Sequence, residues 1–186
     1  MKWTRTHKSI FSSRLLNVTE WLKKADDLMD TASLLETKVI QVWDDLKSEH
    51  LGKEVTSKHK RTGYFGTYFM LMAFAIENIL KAKIISKKRL EFRKFIDQKG
   101  KLPTDIISHD LYKLANILNI SLEAGEEDLL RRLSRSAVWA GRYPVPLKYQ
   151  DLIAQRYSNG SERGTSAFFK SDIQRVKELL NKLLNP

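Results

Sequence analysis

Three groups of residues in this chain have types and spacings suited to chemistry. The first is the pair His109–Asp110, which follows Ser108. An imidazole with one free nitrogen serves as a base or as a hydrogen-bond acceptor near neutral pH. His109 is read either as that group or as a structural residue bonded to a neighbouring loop. The second is Arg142–Tyr143, at the end of the run Trp139-Ala-Gly-Arg-Tyr-Pro. A guanidinium there either meets a phosphate or carboxylate or caps the last carbonyls of the preceding helix. The third is Glu77 and Lys81, four residues apart with the acid first, the favourable order for an ion pair along a helix. A carboxylate beside an apolar wall needs a partner. Glu77 is therefore half of a helix-stabilising pair or an anchored acid lining a groove.

Other chemistries are less open. The chain has no cysteine, which excludes disulfides, thiolate metal sites and a cysteine nucleophile. The remaining histidines, His7, His50 and His59, are scattered without the carboxylate spacing of a metal site. No glycine-rich phosphate loop and no internal repeat is present. No metal or cofactor is expected.

The elements that must position these residues read as helices. Asn17 followed by Glu20 has the form of a capping box. Beyond it Val18, Leu22, Ala25, Met29, Ala32, Leu35, Val39, Val42 and Leu46 recur at steps of three and four. That spacing predicts one amphipathic helix over 18–49, about 45 Å long at 1.5 Å per residue, with Gly52 as its stop. A basic, histidine-containing loop over Lys53 to Arg61 leads to a second long helix, Tyr64 to Lys88. Its start, YFGTYFMLMAFAI, is apolar nearly all round, as in a helix central to a bundle or set in an interface. A homodimer held through this helix is expected on the same ground.

The rest of the chain is shorter pieces. Lys87, Lys88, Arg89, Arg93 and Lys94 interleave with Leu90, Phe92 and Phe95. Such a run either binds a nucleic-acid backbone while stacking bases or forms a short amphipathic helix with its apolar residues partly buried. Gly100 and Pro103 punctuate the next loop. Ser108 is expected to cap a helix from His109 to Ile117, which puts His109 in the first turn, where the helix dipole favours a neutral ring. A helix over 126–140 should bury Leu129, Leu130, Leu133, Ala137 and Val138 and expose Arg131, Arg132 and Arg135. Gly141 ends it, and the prolines beyond cannot continue it. Residues 147–167, with Ser158, Asn159, Gly160, Ser161 and Gly164, read as a flexible loop. A last helix starting near Ser166 or Ser171 carries the stripe Ile173, Val176, Leu180 and Leu183. The fold class is all-α: an up-and-down bundle of four to five main helices with a long N-terminal helix. A basic segment over 1–17 precedes a single domain over 18–186, a length able to bury one core.

The formal charge of +11 is uneven. Residues 51–101 carry thirteen cations against four acids, and residues 129–186 carry eleven against four. Basic surfaces of this kind attract polyanions with affinity that falls steeply with salt; a merely solvated surface is the alternative. The basic start lacks the apolar run of a secretory signal. The longest apolar run is too short for a bilayer. A cytoplasmic location and no membrane partner are the expectations.

Ala75, Glu77, Lys81 and Ala82, then His109, Asp110, Leu111, Lys113 and Leu114, then Arg142, Tyr143 and Pro144, follow one another in an order that resembles the HEPN superfamily. The likeness covers about residues 62–184. It implies an all-helical domain of the kind found beside nucleotidyltransferases and in RNA-targeting defence or toxin–antitoxin systems. RNA-cutting members of that superfamily carry an Arg, four to six residues, then a His. This chain lacks that pattern: its one close pair, Arg5 and His7, is separated by a single residue. The resemblance thus implies a non-catalytic module that binds RNA, a nucleotide or a protein partner through Glu77, Lys81, His109, Asp110, Arg142 and Tyr143, with Lys87, Lys88, Arg89 and Arg93 nearby. A divergent metal-independent endoribonuclease using His109 and Arg142 is one alternative. A structural oligomerisation protein is the other.

Overall fold

The computed structural model describes residues 5–53, 63–143, 145–146, 148–149, 155–156, 162–163 and 168–185. The loops expected over Lys53 to Arg61 and over 147–167 fall largely outside them. Among the described residues seven α-helices run in chain order: α1 (Arg5–Leu15), α2 (Val18–His50), α3 (Gly63–Lys87), α4 (Arg89–Lys99), α5 (Leu111–Ile117), α6 (Ala124–Arg135) and α7 (Lys170–Leu184). A 3-10 turn covers Thr104–Ile106, and a π turn, Ser136–Ala140, prolongs α6. The fold is all-α; its one extended pairing among the described residues is a two-residue antiparallel ladder, Gln155 with Arg163 and Arg156 with Glu162.

The two long helices are those the periodicity predicts. The Asn17 side chain accepts the Thr19 N–H and starts α2. Gly52 follows its end at φ +68°, a conformation that costs glycine little. The buried line of α2, Ala25, Ala32, Val39 and Val42, faces α3. Helix α3 is the axis of the molecule and touches α2, α4, α5, α6, α7 and both short turns. That position explains a helix apolar all round. Tyr68, Phe69, Met72, Ala73, Ile76, Ile79, Leu80, Ile84 and Ile85 are all buried within the one chain. Each large aliphatic among them stabilises the fold by about 1.5–3 kcal/mol. The apolar excess that motivates a homodimer is therefore absorbed by the chain's own helices.

The segment expected as a basic N-terminal extension is helical in its described part and docks on α4, burying Leu15 and Leu16. The Trp21 Nε1–H donates to the Leu15 carbonyl at 2.9 Å and pins the turn between α1 and α2.

Helix α6 departs from expectation at Arg132. Its side chain is fully buried, not exposed, and its guanidinium donates to both oxygens of Asp172 at 2.6 and 3.0 Å. Asp172 also accepts the Phe169 N–H at 2.8 Å and an Arg175 N–H at 2.8 Å. Burial alone would raise the Asp172 carboxyl; the Arg132 and Phe169 hydrogen bonds and the two guanidinium charges outweigh it and hold it below the usual carboxylate range. The pair locks α6 to α7. Arg131 and Arg135 are half-buried, while Val138, expected inside, is exposed. Helix α7 buries Ile173, Val176, Leu180 and Leu183 as its stripe predicts.

Candidate functional site

The site forms where α5 and α6 cross α3. Its foundation is an ion pair in the middle of α3, a helix that has no room for a lone charge. Glu77 and Lys81 are both buried on α3, with Lys81 Nζ donating to Glu77 Oε1 at 2.6 Å. The carboxylate also reaches across to α5: His109 Nδ1 lies 3.1 and 3.0 Å from its two oxygens. A carboxylate acceptor assigns the Nδ1 position a proton and leaves Nε2 as the second nitrogen of a half-exposed ring. One buried acid thus serves two roles left open by the sequence. It completes the helical ion pair, and it orients the imidazole.

His109 does not occupy the first turn of α5. Asp110 is the N-cap, its Oδ1 accepting the Lys113 N–H at 3.0 Å. Ser108 instead accepts the Asp110 N–H at 3.1 Å, and the helix begins two residues later than expected. His109 therefore lies outside the first turn of α5, and its ring is oriented by the contact with Glu77. The imidazole is half open, with its side chain 53% exposed. Ser134 of α6 ties this corner down. Its hydroxyl accepts the Leu111 N–H at 2.9 Å and donates to the Leu130 carbonyl at 2.7 Å, so it positions α5 and has no proton to spare for chemistry.

His109 and Asp110 form one wall of an open cleft of about 260 Å³. Arg131, Ser134, Arg135, Val138 and Trp139 supply the rest. These residues come from α6 and its π turn. The extra residue in a π turn shifts the following side chains around the helix, which sets Val138 and Trp139 at the cleft. Arg131 is held as a plate. Its Nε and Nη2 both donate to Glu127 Oε1, at 3.0 and 2.8 Å, and its guanidinium carbon lies 4.0 Å from the centre of the Tyr112 ring.

Arg142 lies elsewhere. It donates to the Ala137 and Val138 carbonyls, which the π turn and the stop at Gly141 leave without helical partners. It also sits 5.7 Å from the Phe74 ring. It caps its own helix, and the cations beside His109 are Arg131 and Arg135 instead. Tyr143 is exposed next to it. The α4 group also separates. Lys88 is paired with Asp105 at 2.6 Å, and Arg89 donates to the Leu16 carbonyl at 2.7 Å. Lys87 and Arg93 are exposed on the surface. Phe92 is buried, Phe95 half-buried and Leu90 exposed. Four residues of the sequence-derived set therefore meet: Glu77, Lys81, His109 and Asp110. Arg131, Arg135 and Trp139 join them. Arg131 and Arg135 carried a signal in their four-residue spacing, which puts both on one side of α6.

Among the described residues no group of histidines and carboxylates is arranged to hold a metal ion, and no helix is long and apolar enough to cross a membrane. Comparison with protein-family models, with curated proteins and with solved structures finds no match.

Proposed function

We propose that this chain is a non-catalytic, HEPN-like helical bundle that binds RNA through the cleft beside His109. The observation that carries the reading is the joining of a fixed imidazole to two guanidinium groups in one open cleft. Arg135 and the half-exposed ring of His109 suit a phosphate, and the aromatic and planar groups suit an unstacked base. The net charge of +11 supplies the long-range attraction. Metal-independent strand cleavage requires a base and an acid near the reacting 2′-hydroxyl and the leaving group. The cleft offers one imidazole, with His7 on α1 and His50 at the end of α2.

Binding of an unstructured, mixed-sequence RNA should weaken with salt, with a slope of about −0.7 in log K against log salt per phosphate contacted. His109→Ala and Arg135→Ala should each weaken binding about tenfold, the scale of losing one charge-assisted hydrogen bond worth about 1.5 kcal/mol. Fluorescence anisotropy at several salt concentrations measures both. A salt-independent interaction, or full affinity in both variants, would overturn the cleft as the RNA site.

A second reading is favoured by one contact, the Glu77–His109 pair, which orients an imidazole as a general base requires. It predicts cleavage of the RNA pool by wild-type protein and none by His109→Ala. That result would replace the non-catalytic reading with an endoribonuclease.

A further inference from the structure

We infer that the cleft reads the base of an unpaired guanine nucleotide, with the Asp110 carboxylate as the reader and the Arg131 plate as the stacking surface. The inference rests on the RNA-binding reading of the same cleft and adds the base that it selects.

The argument begins with Arg131. Its charge is already matched by Glu127, and Tyr112 covers one side of the guanidinium. Tyr112 is not part of the cleft wall, so the opposite side, with the side chain 41% exposed, is the one the cleft receives. A guanidinium so restrained is a rigid planar surface, and nucleobases stack on such planes as they do on aromatic rings. Trp139 and Val138 supply an apolar boundary. The volume of about 260 Å³ lies just under the range of about 300–1,000 Å³ typical of small-molecule sites, which suits a single base.

Asp110 then decides between bases. Its Oδ1 takes one backbone N–H; the Arg131 guanidinium is near enough to feel its charge, but among the described residues no ion pair closer than 4.0 Å occupies the carboxylate. A carboxylate has about four acceptor positions and no donor, so capacity remains on both oxygens. Guanine presents two adjacent donors on its Watson–Crick edge, N1–H and the 2-amino group, which match a carboxylate in a two-point contact. Adenine and cytosine each set a bare ring nitrogen beside their amino group, and uracil flanks its one N–H with two carbonyls. Each of these places a lone pair against the carboxylate. The chemistry of one acceptor-only wall therefore selects guanine. Arg135 and His109 lie beside it as partners for the attached phosphate.

Calorimetric titration of the full chain with each 5′-monophosphate tests this. GMP should bind about tenfold more tightly than AMP, CMP or UMP, the discrimination expected of one good two-point contact. Asp110→Asn keeps an equally good N-cap, and should erase the preference for GMP while the protein stays folded by circular dichroism. Arg131→Lys keeps the charge and loses the plane; it should weaken all four nucleotides about tenfold, as loss of a stacking partner does, and leave their order unchanged. An oligoadenylate RNA with one central guanine, compared with free GMP, separates the two sources: tighter binding of the oligonucleotide identifies an RNA, equal binding a free nucleotide. Equal affinity for all four monophosphates, or a guanine preference that survives in Asp110→Asn, overturns the base reading alone. Failure to bind any nucleotide or RNA overturns the RNA-binding reading with it.

Discussion

Replacement of Asp172 by alanine is expected to lower the unfolding free energy by about 3–5 kcal/mol, the cost of stranding a buried charge. Arg132 has no exposure to water, so its guanidinium cannot turn outward to recover hydration. The same carboxylate also holds the Phe169 N–H at the start of α7 and the Arg175 guanidinium. Arg175 keeps a hydrogen bond to the Gly125 carbonyl and is partly exposed, so its loss is small beside that of Arg132. Urea unfolding of the single variant measures the effect, and a loss under about 1 kcal/mol would show that the pair is not what joins α6 to α7. A matched change of both residues, Arg132→Met with Asp172→Leu, should recover most of the loss, because a well-packed apolar pair often equals or exceeds a buried ion pair.

The same group gives the fold an acid limit. The Asp172 carboxyl is held below the usual carboxylate range in the folded chain, while in the unfolded chain it titrates near 3.9. Above that value both states are ionised and the full stabilisation is present. As pH falls below it, the unfolded chain takes up a proton that the folded chain refuses, and stability is lost down to the folded-state value. The slope contributed by this one group is at most about 1.4 kcal/mol per pH unit. Unfolding curves for the wild type should therefore steepen in their pH dependence below about pH 4. Asp172→Asn, which carries no titrating group there, should be less stable at neutral pH and should show a flatter acid limb.

Much of this architecture is legible in the chain, for identifiable reasons. Helices α2 and α3 are long and strongly patterned, and their expected limits, 18–49 and 64–88, lie within a residue of the observed ones. The Glu77–Lys81 contact follows from a spacing of four. The Arg132–Asp172 pair does not, because its partners stand forty residues apart. A trace of it exists all the same: Arg132 falls on the stripe with Leu129 and Leu133, and Asp172 on the stripe with Val176 and Leu179. Charge argued for exposure at Arg132, and pairing with Asp172 overrode it. At Ser108–His109–Asp110 the expected cap is Ser108, while the observed cap is Asp110, two residues on. The outcome was decided by Ser134, a residue of another helix, which takes the Leu111 N–H and fixes where α5 begins. The placement of Arg142 turned on the π turn, for which no local spacing rule exists. Its liberated carbonyls captured the guanidinium that the motif order had assigned to the cleft.

That π turn depends on a glycine, and the last large effect is expected there. Gly141 ends the turn with φ near −85°, an angle open to any residue, so its need for glycine is one of space. A Cβ at this position would lie 2.5 Å from the Met70 Cβ and 2.9 Å from the carbonyl oxygens of both Gly66 and Ser136. Two of the three obstacles are backbone, one on each side, and neither can rotate away. Gly141→Ala should therefore cost about 3 kcal/mol, at the upper end of what an added methyl does in a packed interior. It should also disturb nucleotide binding, since the backbone that must shift carries Val138 and Trp139 into the cleft. Gly66, directly opposite, makes the informative control. A Cβ there would meet the Ala140 oxygen at 3.5 Å and the Gly141 Cα at 3.7 Å, ordinary contact distances. Because Gly66 lies inside α3, Gly66→Ala should be neutral or stabilise by roughly 0.5–1 kcal/mol through the unfolded chain's lost freedom. Thermal or urea unfolding of the two variants side by side measures the contrast. Equal effects at both positions would mean that α3 and the π turn are not in the close contact described, and that Trp139 is held in the cleft by something other than the meeting of these two glycines.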